Sequence, residues 1–157
     1  MAKTVKPVLN ILRKRLRSIK AKDIMTKKVT AIKEDAKLAD VAEILIDERI
    51  SGLPVVGKKG KITGLITAND LFLVMDMIKE GDIVQNGSKS GGHPRVKFAM
   101  SSDVTCVGKN TSLDEIFSIM QCKNVHTIPV VEGRKMVGIV GMRDVCKKFY
   151  AIVKDLF

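Results

Sequence analysis

Apolar positions in this chain change period along its length, and the changes mark out its elements. Val29-Thr30-Ala31-Ile32 reads as a short strand. Leu38, Val41, Ala42, Leu45 and Ile46 then recur at helical spacing, with Asp35 as the expected N-cap. Gly52-Leu53-Pro54-Val55-Val56 and Lys61–Thr67 are β-rich runs on either side of a turn at Gly57–Gly60, which predicts a hairpin. Asp70-Leu71-Phe72-Leu73-Val74-Met75 opens a closing helix. The order is strand, helix, strand, strand, helix.

That order occurs twice. Met25, Val29, Thr30, Leu38, Pro54, Val55 and Val56 are matched 75 residues later by Met100, Val104, Thr105, Leu113, Pro129, Val130 and Val131. The offset then slips to 74, so that Gly64, Ile66 and Asp70 match Gly138, Val140 and Asp144. In the second copy Asn110 or Thr111 is the expected cap, ahead of Leu113, Ile116, Phe117 and Met120. Two copies are too few for a solenoid, which needs at least about three units. A pair of units with apolar faces is expected to pack about a pseudo-two-fold axis, and the cleft between them is the natural place for a ligand.

Composition supports a globular chain, with 157 residues, 45% hydrophobic and 29% charged. No apolar run approaches the roughly 20 residues that cross a bilayer. Cys106, Cys122 and Cys146 are isolated and odd in number, without C-x-x-C, and His93 and His126 show no ligand spacing to them. They read as buried thiols of a reducing compartment, so a cytoplasmic location is expected.

Charge changes the picture at one end. Of 28 basic residues, eight lie in residues 1–22, which hold no acid. Val8, Leu9, Leu12, Leu16 and Ile19 fall on one face of a helix expected over residues 7–20, with Pro7 in its first turn. Four readings stand for this basic arm. It lies on an anionic membrane, binds nucleic acid through phosphates, is a transit peptide, or docks its apolar face on the body or on a second subunit. The Gly/Ser-rich stretch near Gly81–Pro94 reads as a flexible linker, either a plain crossover or a cover for a cleft. The divisions are an arm (1–20), a first repeat (21–78), a linker (79–95) and a second repeat with a closing helix (96–157).

Three pieces recur in order within each copy. They are Asp23-Ile24-Met25-Thr26, Ile50-Ser51-Gly52-Leu53-Pro54-Val55-Val56 and Gly64-Leu65-Ile66-Thr67-Ala68-Asn69-Asp70. The second copy has Ala99-Met100-Ser101, Val125-His126-Thr127-Ile128-Pro129-Val130-Val131 and Gly138-Ile139-Val140-Gly141-Met142-Arg143-Asp144. With these pieces each repeat resembles a cystathionine-β-synthase (CBS) domain, and the pair resembles the tandem arrangement called a Bateman module. The resemblance implies an α/β fold of two β-α-β-β-α repeats about a pseudo-two-fold axis, here with an N-terminal basic helix.

It also implies an adenosine-type ligand between the repeats, held through the Thr and Asp of G-h-h-T-x-x-D. A carboxylate can accept from both ribose hydroxyls, and a threonine hydroxyl at a helix start suits a phosphate. The same Thr67-x-x-Asp70 is also a capping box, and the two roles are compatible. By the resemblance, the better site joins Thr67, Asp70 and Ile66 to Ser102, Val104, Thr105, His126, Thr127 and Ile128. A weaker site joins Gly141 and Asp144 to Thr26, Thr30, Ser51, Gly52 and Leu53. Ile66, Met100 and Ile128 would sandwich an adenine. His126 either donates to a phosphate when protonated or is structural.

No nucleophile with a base, carboxylate pair or metal cluster stands out in the sequence, so a ligand-binding module is expected rather than an enzyme. The reading is a regulatory homodimer with no required cofactor, taking AMP, ADP, ATP or S-adenosylmethionine. The alternative is a nucleic-acid-associated protein that uses the arm, with the repeats as a dimeriser.

Overall fold

The computed structural model describes residues 2–80 and 94–156; the linker stretch Gly81–His93 lies outside them. Two compact units emerge, and neither is a sequence repeat. One is continuous, Thr30–Val104; the other is split, combining Met1–Val29 with Thr105–Phe157.

The continuous unit contains β1 (Ile32–Lys33), α1 (Leu38–Glu48), β2 (Gly52–Val56), β3 (Ile62–Thr67), α2 (Ala68–Lys79) and the short helix α3 (Val96–Ala99). Its sheet has the order β1-β2-β3, parallel then antiparallel. Leu53, Val55, Ile66, Val41 and Val96 are fully enclosed in its core. Each such aliphatic side chain contributes roughly 1.5–3 kcal/mol by burial.

The split unit repeats this plan. An N-terminal helix, here αN (Ala2–Ser18), and a short helix αS (Ala21–Ile24) join β4 (Val107–Gly108), α4 (Leu113–Lys123), β5 (Thr127–Glu132), β6 (Lys135–Gly141) and α5 (Met142–Lys154). The sheet order is β4-β5-β6, again parallel then antiparallel. Ile116, Leu113, Ile128, Val130 and Val140 fill its core.

What splits the unit is an exchange of leading segments. The segment that opens the first repeat packs on the sheet of the second. Ala21 N–H donates to the Thr111 carbonyl (2.8 Å), and Thr26 and Ile139 exchange two backbone bonds of 2.9 and 3.0 Å. The matching residues do the reverse: Val96 N–H donates to Ala36 (3.0 Å), and Ser101 and Leu65 exchange bonds of 2.9 Å. Met25 and Met100 fill the core as expected of flexible thioethers. Met25 lies where a Cβ on Gly138 would be, and Met100 where one on Gly64 would be. These two glycines exist to admit a methionine.

Helix starts differ from the sequence reading by a few residues. The caps are Lys37 and Ser112, not Asp35 and Asn110 or Thr111. Asp40 takes the Lys37 N–H at 3.1 Å, which stops the helix from extending back to Asp35. The first strand is shorter than expected and starts at Ile32, since Val29–Ala31 make no ladder. αN begins at Ala2, so Pro7 lies inside the helix rather than in its first turn and removes one N–H donor there. Val8, Leu12, Leu16 and Ile19 are half-buried, while Leu9 falls off that face and is exposed. Leu12, Leu16 and Ile19 pack on the core of the split unit, alongside α4 and α5. Arg17 pairs with Asp114 (3.3 Å) and Arg15 with Asp155 (3.7 Å). No helix among the described residues is long and apolar enough to cross a membrane.

Candidate functional site

In each unit the polar residues of the recurring pieces gather at one end of the sheet. Because β1 runs parallel to β2 and β3 runs back, three places share that end: the entry to β1, the α1–β2 junction and the exit from β3. Gly52 pairs with Thr67 across the ladder, and Ala68 N–H donates to the Ser51 carbonyl at 3.0 Å. The split unit does the same with Thr127 opposite Gly141 and Met142 N–H on the His126 carbonyl at 2.8 Å.

The strand exit then turns directly into a helix, and the turn is a cap. Asp70 Oδ2 accepts from the Thr67 N–H (2.7 Å) and from the Thr67 hydroxyl (2.8 Å), while Thr67 Oγ1 lies 3.4 Å from the Asp70 N–H. The capping box expected at T-x-x-D is therefore formed. Its consequence for chemistry is that Thr67 gives its only hydroxyl proton to Asp70 rather than to a phosphate. In the split unit the Gly141 N–H donates to Asp144 Oδ2 at 2.9 Å, and no hydroxyl is present. A carboxylate has about four lone-pair positions, so both aspartates keep acceptor capacity for a ribose.

The structure groups the candidate residues by unit. Thr67, Asp70, Ile66, Thr30, Ser51, Gly52, Leu53, Ser102 and Val104 belong to the continuous unit, and Gly141, Asp144, Thr26, Thr105, His126, Thr127 and Ile128 to the split one. Each T-x-x-D or G-x-x-D turn is thus hydrogen-bonded to the x-x-P segment of its own repeat. Leu53, Ile66 and Ile128 are wholly enclosed in the two cores, where they support the sheet end from beneath. Thr26, Ser51, Ser102 and His126 are exposed, and Thr30, Val104 and Thr105 half-buried.

Two residues absent from the sequence reading complete the geometry. Thr30 Oγ1 donates to both carboxylate oxygens of Glu48, at 2.7 and 2.8 Å. At the matching place Lys123 Nζ donates to Thr105 Oγ1 at 3.2 Å. The signal was available, because Glu48 and Lys123 stand 75 residues apart, at the repeat offset, with opposite charge.

Elsewhere in the split unit a cavity of about 800 Å³ lies along αN, α4 and α5. Leu16, Phe117, Met120, Met142 and Phe149 make it mainly apolar, and Asp144 takes no part in it. Such a lining suits a packed helix better than a sugar. Asp114, at its rim, has its carboxyl held below the usual range, first by the Ser112 hydroxyl (2.6 Å) and then by Arg17. Cys106, Cys122 and Cys146, expected to be buried, are all exposed at the surface; partial desolvation still raises the Cys106 thiol. Among the described residues no cluster of three His, Cys, Asp or Glu could hold a metal.

Comparison with known proteins decides the family. The CBS domain model matches residues 21–76 and again 96–151. This chain belongs to the CBS domain family. The CBS pair is 27% identical over 130 residues to inosine-5'-monophosphate dehydrogenase of Methanocaldococcus jannaschii, covering 82% of this chain but 23% of that protein. The chain thus spans about a quarter of that enzyme's length. It is 27% identical over 139 residues to hypoxic response protein 1 of Mycobacterium tuberculosis, covering 85% of this chain and 89% of that one. Among solved structures, the CBS domain pair of protein MJ0100, in complex with 5'-methylthioadenosine and S-adenosyl-L-methionine, matches with a TM-score of 0.69. It is 25% identical, and the match covers 84% of this chain and 96% of that chain.

Proposed function

We propose that this CBS pair is a regulatory module that binds an adenosyl ligand at the polar sheet ends. The observation that carries the reading is the Thr67–Asp70 turn bonded to Ser51-Gly52, with its counterpart at Gly141–Asp144. Each turn holds a half-buried carboxylate that keeps acceptor positions for ribose hydroxyls. A related CBS pair holds 5'-methylthioadenosine and S-adenosyl-L-methionine, which supports the ligand class. A ligand of this kind regulates only by binding one conformation of the protein better than another. No reaction is assigned to the chain.

The turn at Thr67–Asp70 is the tighter end for S-adenosylmethionine, since Thr67 fixes the Asp70 carboxylate with two hydrogen bonds and Gly141 supplies one to Asp144. Calorimetric titration of S-adenosylmethionine, AMP, ADP and ATP tests this. Asp70→Ala is expected to lower S-adenosylmethionine affinity at least about tenfold, the size of one charge-assisted bond, and Asp144→Ala to lower it less. Asp70→Asn, which keeps the shape of the cap, should show the same loss with a smaller change in Tm. Failure of all four ligands to bind would leave the turn as a helix cap only.

The pair is also proposed to self-associate through helix faces left apolar on its outside. Phe72, Leu73, Met75, Met77 and Ile78 of α2 are all exposed, a concentration of apolar side chains unlike an ordinary monomer surface. Light scattering should give twice the chain mass, and Phe72→Glu with Met75→Glu should reduce it to one.

A further inference from the structure

One unit holds the whole excess charge of this chain. Residues 1–29 and 105–157 together have 18 basic and 6 acidic side chains, whereas residues 30–104 have 10 and 11. The split unit therefore stands at +12 and the continuous unit at −1.

The docking of αN decides how that charge is presented. Val8, Leu12, Leu16 and Ile19 are half-buried, and the last three pack on the core. At about 3.6 residues per turn, Asn10, Arg13, Lys14 and Arg17 fall on the opposite side, and all four are exposed. They border one shallow depression along the helix. In sequence the same spacing of three and four residues runs on to Lys6 and Lys3. The exposed Leu9 and Ile11 flank this stripe. αN itself contains no acid. The carboxylates that reach it, Asp114 and Asp155, meet Arg17 and Arg15 and fix the C-terminal half of the helix. Arg17 has five N–H donors and keeps some for another acceptor. Arg13 and Lys14 form no ion pair among the described residues.

An amphipathic helix that lies on a membrane must bury its apolar face in lipid, and here that face is already spent on the core. What is left outward is a row of cations with an amide among them. Guanidinium and ammonium groups in a row fit a row of phosphates. The 17 residues of αN extend about 25 Å, the span of about seven phosphates along one strand of a duplex. No aromatic residue in αN could stack on a base, which disfavours a single strand.

We infer that the outward face of αN binds duplex nucleic acid through its phosphate backbone, without regard to base sequence. Arg13 and Lys14 are its principal phosphate contacts, with Arg17 and Asn10 beside them. The inference does not depend on the adenosyl reading, because it uses neither sheet end.

Fluorescence anisotropy of the full chain with DNA duplexes of about 20 base pairs, over a salt series starting near about 50 mM, tests it. Duplexes of unrelated sequence should bind alike, with affinity falling steeply as salt rises. Arg13→Gln with Lys14→Gln should weaken binding at least about tenfold at the lowest salt and reduce the log–log salt slope by about two. Both side chains are exposed, so Tm should not change. Lys58→Gln with Lys61→Gln removes the same charge from exposed positions of the continuous unit and should leave binding within about twofold. Equal losses from the two double variants would mean attraction by net charge alone and overturn the inference. So would tighter binding of a single strand than of the duplex, absence of duplex binding at the lowest salt, or binding to phosphatidylserine vesicles but not to DNA.

Discussion

The continuous and split units have the same strand order, the same register and the same exchange of a leading methionine, yet they end their sheets in different chemistry. One end carries Glu48, Asp70 and a hydroxyl turned onto its own aspartate. The other carries Lys123, His126, Asp144 and a glycine. Residues that the fold needs, such as Pro54 and Pro129 or Val55 and Val130, are identical in both. Those free to differ sit at the rim. Packing constrains the interior of both copies alike, because a core position tolerates little change in volume, whereas an exposed rim charge costs the fold little to invert.

The largest expected effects come from the two glycines that admit methionines. Gly64→Ala and Gly138→Ala should each cost about 1–3 kcal/mol, as overpacking usually does, read by denaturant unfolding. The units part company on rescue. At Gly138 the three nearest atoms to the added carbon all belong to the Met25 side chain, so Met25→Ala should recover much of the loss. At Gly64 the Ser101 carbonyl lies 2.9 Å from the added carbon as well, so Met100→Ala should recover little. Equal rescue in both units would show that the backbone at Ser101 yields as easily as a side chain.

Next is the left-handed residue that ends each equivalent helix. Arg49 has φ 54° and Asn124 φ 51°. Asparagine tolerates this region and arginine does not do so readily. Arg49→Gly should therefore raise stability by up to about 1 kcal/mol, and Asn124→Gly should leave it nearly unchanged. Matching thermal shifts for the two would refute the difference.

The smallest effect concerns αN, which the continuous unit lacks. Asp114 is held below its usual pKa by Ser112 and Arg17, so its contribution is present above the ordinary carboxylate pKa and fades as pH falls through the lowered value. Asp114→Asn should cost less than about 1 kcal/mol at neutral pH, this being a partly exposed pair. The gap from wild type should close at the acid end of a pH series of unfolding curves.

Much of this molecule was legible in the order of its residues, because period alone separates Leu38, Val41 and Leu45 from the hairpin runs around Gly57–Gly60. The capping box at Thr67 and Asp70 was legible too, since its partners are three residues apart. The exchange of leading segments was not. Met25 fits Gly64 of its own repeat as well as it fits Gly138, and a repeated pattern looks the same under either pairing. Nor was the Thr30–Glu48 bond, whose partners lie 18 residues apart, a distance at which no local rule connects them. Strand register within each unit, Gly52 to Thr67 and Thr127 to Gly141, is what sets each turn beside the x-x-P segment of its own sheet.

The exchanged segments also set an order of events on the ribosome. Domains generally fold as their residues emerge, N-terminal parts first. Here residues 30–104 can close on themselves once Met100 and Ser101 are out. Met25 and Thr26, made earlier, have no strand to join until Ile139 follows. The first stretch of chain to be synthesised is thus among the last to find its place, and a nascent chain arrested once residue 110 has cleared the ribosome's exit tunnel should protect β1–β3 from protease while leaving residues 1–29 open to it.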